Sequence, residues 1–488
     1  MMGGYEAVIG LEIHAELKTH SKMFCSCDAS FGGEPNTKTC PVCLGLPGVL
    51  PVLNRRAVEL ATRLALALNC TIAPRCVFHR KNYFYPDMPK NYQISQYDLP
   101  LGVHGHLDLE TEEGTIRVGI TRVHLEEDTG KTVHVSESGR IHGSEYSLED
   151  FNRAGVPLLE IVTEPDMRTP EQARLFMQEL KSIMEHLEVS DCKMEEGSLR
   201  CDANVSLRPV GSGELGVKTE VKNMNSFRAL YRALDYEIRR QRELLESGGE
   251  VVQETRHWDA DANVTTPLRT KEYAYDYRYF PEPDLVPLEL DREFVEGVRA
   301  SLPELPADRR QRFREAYGLP PHDAALLTSS KAMGDYFEAV VSAGAPPKAA
   351  SNWMMGELSA YLNARQVEIE EVRVTPAQLA ELIGMVEKGT VSVTMAKGVF
   401  QEMLESGRDP RSIVEEKGAT QISDQGELEA LVEEVVRENP KVVEDFRGGK
   451  DKALGFLVGQ VMRKTGGRAN PQLVNELLLK KLGGAPGG

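Results

Sequence analysis

The sequence predicts an α+β domain followed by an all-α half. Three observations carry that reading. Strand-like alternation recurs in several segments before about residue 290, and two long helices with clear boundaries lie among them. Beyond a proline-rich passage that begins at Pro281, only helices joined by short turns are expected.

In chain order, Ile9, Leu11, Ile13, Ala15 and Leu17 alternate with Gly10, Glu12, His14 and Glu16, the pattern of a half-buried strand. Glu12 and His14 therefore share one face. Next come Cys25-Ser-Cys27 and, twelve residues on, Cys40-Pro-Val-Cys43, a spacing that lets four thiolates meet at a tetrahedral metal. No hydrolytic base lies between them, so the expected zinc is structural; a disulfide is the weaker alternative in a cytosolic chain. Cys70, Cys76, Cys192 and Cys201 show no such pattern and read as free thiols. The run Arg80-Lys81-Asn-Tyr83-Phe-Tyr85-Pro-Asp87 either holds phosphate and stacks a base or packs as a loop. His124-Leu-Glu126-Glu127-Asp128 closes the alternating segment Ile116–Leu125, at a strand end or in the loop after it.

Glu160 lies inside Leu158, Leu159, Ile161 and Val162, a run that otherwise reads as a buried strand. An unpaired carboxylate there would cost several kcal/mol or take up a proton, so it calls for a cation, with a metal as the simplest candidate and a wet strand face as the alternative. Three segments together offer carboxylates and one imidazole. Such an oxygen-rich set suits Mg²⁺ or Mn²⁺ better than zinc, and Mg²⁺ would bring a nucleotide with it. Solvated acidic strand ends are the competing reading.

Two helices have legible ends. One has Thr169 as N-cap, Pro170 at the first position and Gln172 closing a capping box, then Phe176, Leu180, Ile183, Met184 and Leu187 on one face. The other follows Ser226, carries Leu230, Leu234, Ile238 and Leu245, and stops at Gly248-Gly249. Between them, Asp191 to Ser206 would project Arg200, Asp202, Asn204 and Ser206 from one face of a strand, either as a binding surface or as an ordinary solvent face. The stretch Gly211 to Thr219 nearly matches a phosphate-binding P-loop, but Val217 stands where the lysine should follow the last glycine. A glycine turn between strands fits better, with Ala203, Val205 and Leu207 before it and Val217, Thr219 and Val221 after it.

In the second half, Pro303, Pro306, Pro320 and Pro321 punctuate the chain, and Thr375-Pro376-Ala-Gln378 repeats the capping-box arrangement. Gly398, Gly407 and Gly418 separate short segments, and Asn470-Pro471 opens a last helix that ends before Gly483. The expected divisions are residues 1–292, 293–405 and 406–488.

Composition bounds the class. The 488 residues suffice for two or three domains, and 41% hydrophobic with 27% charged residues is ordinary for a globular protein. No apolar run reaches a membrane span, and no secretory leader is evident, so a cytoplasmic protein is expected. The formal charge of −18 argues against nucleic acid only if it is evenly spread. It is not: from Lys441 onward nine basic residues (Lys441, Arg447, Lys450, Lys452, Arg463, Lys464, Arg468, Lys480, Lys481) face four acidic ones, a net +5. With the pairs Gly448-Gly449 and Gly466-Gly467, this tail could hold a polyanion or be a solvated basic surface.

The segments Ile9–His14, Lys81–Asp87, Asp150–Asp166, Met194–Asn204 and Asn470–Val474 resemble the B subunits of bacterial aspartyl/glutamyl-tRNA amidotransferases, the GatB family, from end to end of the chain. The resemblance implies a cradle domain with a mainly antiparallel sheet, related in fold to glutamine synthetase, then a helical domain and a small YqeY-like domain that holds tRNA. It implies an ATP- and Mg²⁺-dependent ligase that phosphorylates the side-chain carboxylate of Asp or Glu on misacylated tRNA(Asn) or tRNA(Gln), then amidates it with ammonia from a glutaminase A subunit. A C subunit and the misacylating aminoacyl-tRNA synthetase are further implied partners, and no membrane is. Carried onto this sequence, Glu12, His14, Glu126, Glu127 and Glu160 become Mg²⁺ ligands. Lys81, Lys193, Glu195, Arg200 and Asp202 become nucleotide or carboxylate contacts, and Glu126, Glu160, Lys81 and Arg200 the catalytic set. Zinc at Cys25, Cys27, Cys40 and Cys43 rests on spacing more than on kinship. A non-catalytic tRNA-binding scaffold and a metal-dependent hydrolase using bound water remain the rival readings.

Overall fold

The computed structural model describes residues 4–135, 144–270, 277–417, 425–447, 450, 452–465, 469 and 471–483. The chain forms two compact units, Met1–Pro306 and Ala307–Gly488. In the first, the strands are β1 (Tyr5–Glu16), β2 (Thr71–Ile72), β3 (Arg75–Cys76), β4 (Phe78–Asn82), β5 (Tyr92–Gln96), β6 (Gly102–Thr111), β7 (Gly114–Glu127), β8 (Lys131–Val135), β9 (Tyr146–Asp150), β10 (Pro157–Thr163), β11 (Leu199–Pro209), β12 (Thr219–Lys222), β13 (Glu254–Asp259), β14 (Val264–Thr270), β15 (Phe280–Pro281) and β16 (Leu288–Glu289). Its helices are α1 (Arg55–Ala67), α2 (Pro170–His186), α3 (Phe227–Glu246) and α4 (Arg292–Ala300).

Twelve strands make one sheet in the order β14-β13-β12-β11-β1-β10-β7-β5-β4-β15, with β6 beside β7 and β2 beside β6. The pairings are antiparallel except for β12 with β13, which run parallel. Alternation along β1 decides which side is dry. Ile9, Leu11, Ile13 and Ala15 enter one core with Leu60 and Leu64 of α1, Phe176 and Leu180 of α2, and Leu230 and Leu234 of α3. Each such side chain gains about 1.5–3 kcal/mol from burial, so this face fixes the register and leaves the other free for polar groups.

Local signals place the helices where the sequence predicts them. Thr169 caps α2 by accepting from Gln172 N at 3.1 Å. The capping box is not closed as expected, because the Gln172 side chain accepts from Arg168 N at 2.7 Å, one residue before the cap, instead of from Thr169 N. Ser226 caps α3, which ends before Gly248 at φ +80°. The near P-loop is indeed a connection between paired strands, β11 and β12. Gly216 is required there by close approach, since a Cβ would lie 2.0 Å from Leu207 O.

The second unit is helical throughout its described residues: α5 (Pro306–Tyr317, its first residue belonging to the first unit), α6 (Pro321–Leu327), α7 (Lys331–Ser342), α8 (Pro347–Trp353), a π-helical turn Met354–Leu358, α9 (Ser359–Arg365), a 3₁₀ turn Ile369–Glu371, α10 (Pro376–Glu387), α11 (Val393–Ser406), α12 (Pro410–Glu416), α13 (Gln425–Glu438), α14 (Pro440–Arg447), α15 (Lys452–Lys464) and α16 (Pro471–Leu482). Thr375 and Gln378 form the expected capping box. Gly407, at φ +71°, ends α11, but Gly398 sits inside that helix instead of separating segments. Packing of its neighbours Val399 and Phe400 into the core outweighs the cost of about 1 kcal/mol for an interior glycine. Gly418, Gly448, Gly449, Gly466, Gly467, Arg468 and Asn470 lie outside the described residues. Two cores organise the unit: one runs from Phe313 to Val414 and draws on both α11 and α12, and the other runs from Leu428 to Leu482. Among the described residues no helix is long and apolar enough to cross a membrane.

One polar group is sealed behind the sheet. Glu237 of α3 is fully buried and accepts from Thr219 (2.9 Å), Thr265 (2.9 Å), Gln241 (3.0 Å) and Arg240 (2.5 Å), with Arg256 Nε 3.4 Å away. It ties α3 to β12, β13 and β14. Glu237→Ala is expected to take away the acceptor shared by Thr219, Thr265, Gln241 and Arg240, while Arg256 keeps Glu254 and Thr265, and to destabilise the first unit by about 3 kcal/mol, measured as a lowered urea midpoint. A midpoint within error of wild type would show that the network is dispensable.

Candidate active site on the central strands

Antiparallel register builds the site. His14 of β1 stands opposite Glu160 of β10, Glu160 opposite His124 of β7, and His14 opposite Arg200 of β11. Directly opposed residues lie about 4.5–5.5 Å apart at Cβ, so the four form a polar row across the middle of the sheet. One step along, Glu12 faces Asp202, and Glu126 faces Ser95 of β5. Lys81 of β4 shares this face, since it pairs with Gln93, two residues from Ser95.

Glu160, 6% exposed, has the cationic neighbours that its burial requires. His124 Nε2 is 3.3 Å and His14 Nε2 3.4 Å from its Oε2, and Arg122 is 3.4 Å from Oε1. Burial pushes its carboxyl up, but the two imidazoles outweigh that and hold it well below the usual range. Glu126 is likewise lowered despite burial, chiefly by the His124 hydrogen bond; Ser95 donates to it at 3.0 Å. Burial opposes charge on both histidines, yet the facing carboxylates prevail, raising His14 and pushing His124 to about 9. Burial and the nearby Glu160 raise Glu12. Lys81, also penalised by burial, is held charged by Glu126 and Tyr279.

Donor atoms of His14, Glu126 and Glu160 lie within 4.8 Å of one another, as do those of Glu12, His14 and Asp202. Carboxylate oxygens with a single shared imidazole are the donor set of a hard divalent cation. Glu127, expected among these ligands, is not brought to them. Successive strand residues point to opposite faces, and Glu127 is instead ion-paired with Lys90, accepts from Ile94 N at 2.9 Å, and lines a small cavity beneath the cysteine loop with Cys25, Cys43 and Lys90. The sulfurs of Cys25, Cys27, Cys40 and Cys43 lie within 4.8 Å of one another, so that loop is arranged for a metal. The Cys43 thiol is drawn down to about 5, first by the Cys25 hydrogen bond.

The nucleotide candidates divide. Arg200 adjoins the row and is held by Asp128 at 2.8 Å, which Arg153 also approaches at 3.7 Å. Asp202 pairs with Lys222 at 2.5 Å beside Glu12. Lys193 and Glu195, by contrast, are exposed in the turn before β11, with Lys193 paired to Glu196 at 2.9 Å. Residues 7–296, which contain all of these groups, match the family described as the GatB/GatE catalytic domain, and residues 335–482 match the one described as the GatB domain.

The chain belongs to the GatB family.

Its relatives include the B subunit of the aspartyl/glutamyl-tRNA(Asn/Gln) amidotransferase of Moorella thermoacetica, 60% identical over 478 residues (98% of this chain, 100% of the relative). Proteins of the same name from Carboxydothermus hydrogenoformans and Brevibacillus brevis are 58% and 54% identical over 481 residues, covering 99% of each chain. In this GatB-family chain, sequence pattern alone assigns no role to His124, Arg122, Arg153 or Lys222. Stepping back in twos from Glu126 along the predicted strand would find His124 and Arg122. Arg153 and Lys222 leave no such signal, because loop geometry and strand pairing bring them in.

In protein freed of divalent cations, the His124 imidazole is expected to titrate near 9. Its raised pKa means that the stabilisation by its carboxylate partners is fully present below the ordinary histidine value of about 6.5 and is lost as pH rises through 9. Mg²⁺ that engages Glu126 and Glu160 should pull the value back down in histidine-selective NMR. A titration curve indifferent to Mg²⁺ would place the ion elsewhere.

Proposed function

We propose that this chain is the carboxylate-activating subunit of a tRNA-dependent amidotransferase. Its substrate is the side-chain carboxylate of Asp or Glu esterified to tRNA(Asn) or tRNA(Gln). The observation that carries the reading is the convergence of Glu12, His14, Glu126 and Glu160 on one face of the central strands, with Lys81 and Arg200 at its edges. The names of the relatives agree with it.

A side-chain carboxylate resists ammonia because its leaving group is poor. Transfer of the γ-phosphoryl group of ATP makes an acyl phosphate, and ammonia from a glutaminase partner then displaces phosphate to leave the amide. Bound Mg²⁺ would neutralise the phosphates during transfer. Glu126, Glu160 and His14, with Glu12 beside them, are the residues that would hold it. The chain's own part is positioning and charge compensation, which is most of what phosphoryl transfer requires. Lys81 and Arg200 meet the anionic substrates from two sides; Asp128, which Arg153 also approaches, fixes the Arg200 guanidinium, and His124 and Arg122 keep Glu160 ionised and aimed. Lys193 and Glu195 are left as contacts at the rim.

We assign this chemistry to a glutamine-synthetase-like cradle at residues 1–292, the middle to a helical domain at 293–405, and tRNA holding to a YqeY-like domain at 406–488. Ion pairs temper the tail's charge: Lys464 binds Glu434 (2.9 Å) and Glu438 (2.8 Å), Lys450 binds Asp445 (2.8 Å), and Lys481 pairs with Glu433. Contacts to phosphates are assigned to Lys441, Arg447, Lys452, Arg463 and Lys480, which form no ion pair among the described residues, and to Arg468. An A subunit, a C subunit and the misacylating synthetase complete the assembly, which the reading places in the cytoplasm.

The test is ADP formation by the assembled complex, with ammonium in place of glutamine, with and without misacylated tRNA. Glu160→Ala should lose on the order of a hundredfold or more of an aminoacyl-tRNA-dependent ADP release while tRNA affinity stays within twofold. Undiminished release from a folded variant would return the chain to a scaffold role, and release of product without ATP would make it a hydrolase. For the cysteine loop, we expect one structural zinc that Cys43→Ser removes, with a lowered melting temperature for the first unit; metal analysis of the purified variant decides the point.

A further inference from the structure

The polar strand face does not end at Glu126. Ser95 continues it onto β5, and Lys81 and His79 continue it onto β4, because His79 stands opposite Ser95 and Lys81 opposite Gln93. Beyond them lies a group of aromatic rings. Tyr97, just after β5, stacks on Tyr279 with ring centroids 4.2 Å apart and planes 9° apart. Tyr279 meets Tyr277 edge-on at 6.1 Å, and the Lys81 ammonium lies 5.0 Å from the Tyr277 ring. The same lysine is held charged by Glu126, Tyr279 and Glu160, so the rings stand within one side chain's reach of the candidate metal ligands.

Tyr97 is the outermost ring of this group, 48% exposed, although it already lies in parallel on a second tyrosine. A planar pair with one ring at the surface can extend by one more planar ring. Its flank is polar: the His79 ring meets Tyr97 edge-on at 6.1 Å, its Nε2 lies 3.3 Å from Asp98, and its buried Nδ1 has no hydrogen-bond partner among the described residues. Apolar packing alone would not leave that atom unsatisfied. A heteroaromatic base offers a face for Tyr97 and a polar edge beside the Asp98 carboxylate.

We propose that Tyr97, backed by Tyr279, is the platform on which a substrate's adenine base stacks beside the carboxylate row. The proposal rests on the reading that this chain handles ATP and aminoacyl-tRNA. Both present an adenine, one in the nucleotide and one in the 3′-terminal adenosine that carries the amino acid. Stacking accepts either, and the anionic part of each would then extend toward Lys81.

The assembled complex with Tyr97→Leu, Tyr97→Phe and Tyr97→Trp tests it. Tyr97→Leu should raise KM for one of the two substrates by about five- to a hundredfold, with kcat much less affected, and Tyr97→Phe should restore it. A rise confined to ATP assigns the base to the nucleotide; a rise confined to aminoacyl-tRNA assigns it to the terminal adenosine. Unchanged KM for both, or a fall in kcat that Tyr97→Phe does not rescue, overturns the proposal. Tyr97→Trp supplies a readout without turnover. Its emission should be quenched by ADP with Mg²⁺, or by an acceptor minihelix but not by one lacking its last adenosine, and quenching by neither overturns the platform. Quenching in a complex whose wild type shows no ATP-dependent amidation would sink the functional reading and leave the platform standing.

Discussion

Everything around the central strands follows from placing one ionised carboxylate, Glu160, where little water reaches it. The desolvation penalty of several kcal/mol has to be met by fixed positive charge at close range. Antiparallel pairing supplies that charge from both neighbouring strands at once, His14 on one side and His124 on the other. Those imidazoles, burdened in turn by burial, are held charged by Glu126 and Glu12 as well as by Glu160. The result is an alternating lattice in which each charge stabilises its neighbours and none is stable alone. On the proposed reading a divalent cation would take over the role of the two imidazolium groups, and the lattice already holds the candidate ligands close together.

The sheet can carry such a face because its reverse side is largely given to packing. Ile9, Leu11, Ile13 and Ala15 bind β1 to three helices, and α3 is further fastened through Glu237 to strands on the far side of β11. Precision on the polar face is thus set by rigid elements on the apolar one, which catalytic geometry needs more than it needs flexible loops.

How much of this is legible in the sequence depends on the range of the interaction. Period-two alternation places Glu12 with His14, and the lone Glu160 in an apolar run announces a buried charge with partners. Capping residues and glycines locate α2, α3, α10 and the end of α11, because those signals act within one turn of helix. Mere adjacency misleads. It groups Glu127 with Glu126 although neighbours on a strand face opposite ways, and it makes Gly398 a break although packing keeps the helix intact. Two-residue spacing from Glu126 puts His124 on the right face, but its pairing with Glu160 appears when β7 is laid against β10. Arg153 and Lys222 reach the site through a loop and a third strand pairing, contacts that no local pattern encodes.

The adjacency of Glu126 and Glu127 has a consequence of its own. One peptide unit joins a group that faces the carboxylate row to a group that faces the cysteine loop. A displacement of the strand backbone at Glu127 therefore also turns Glu126, whereas a rotation of the Glu127 side chain alone does not. The end of β7 is the place where the backbone of one strand serves both faces of the sheet.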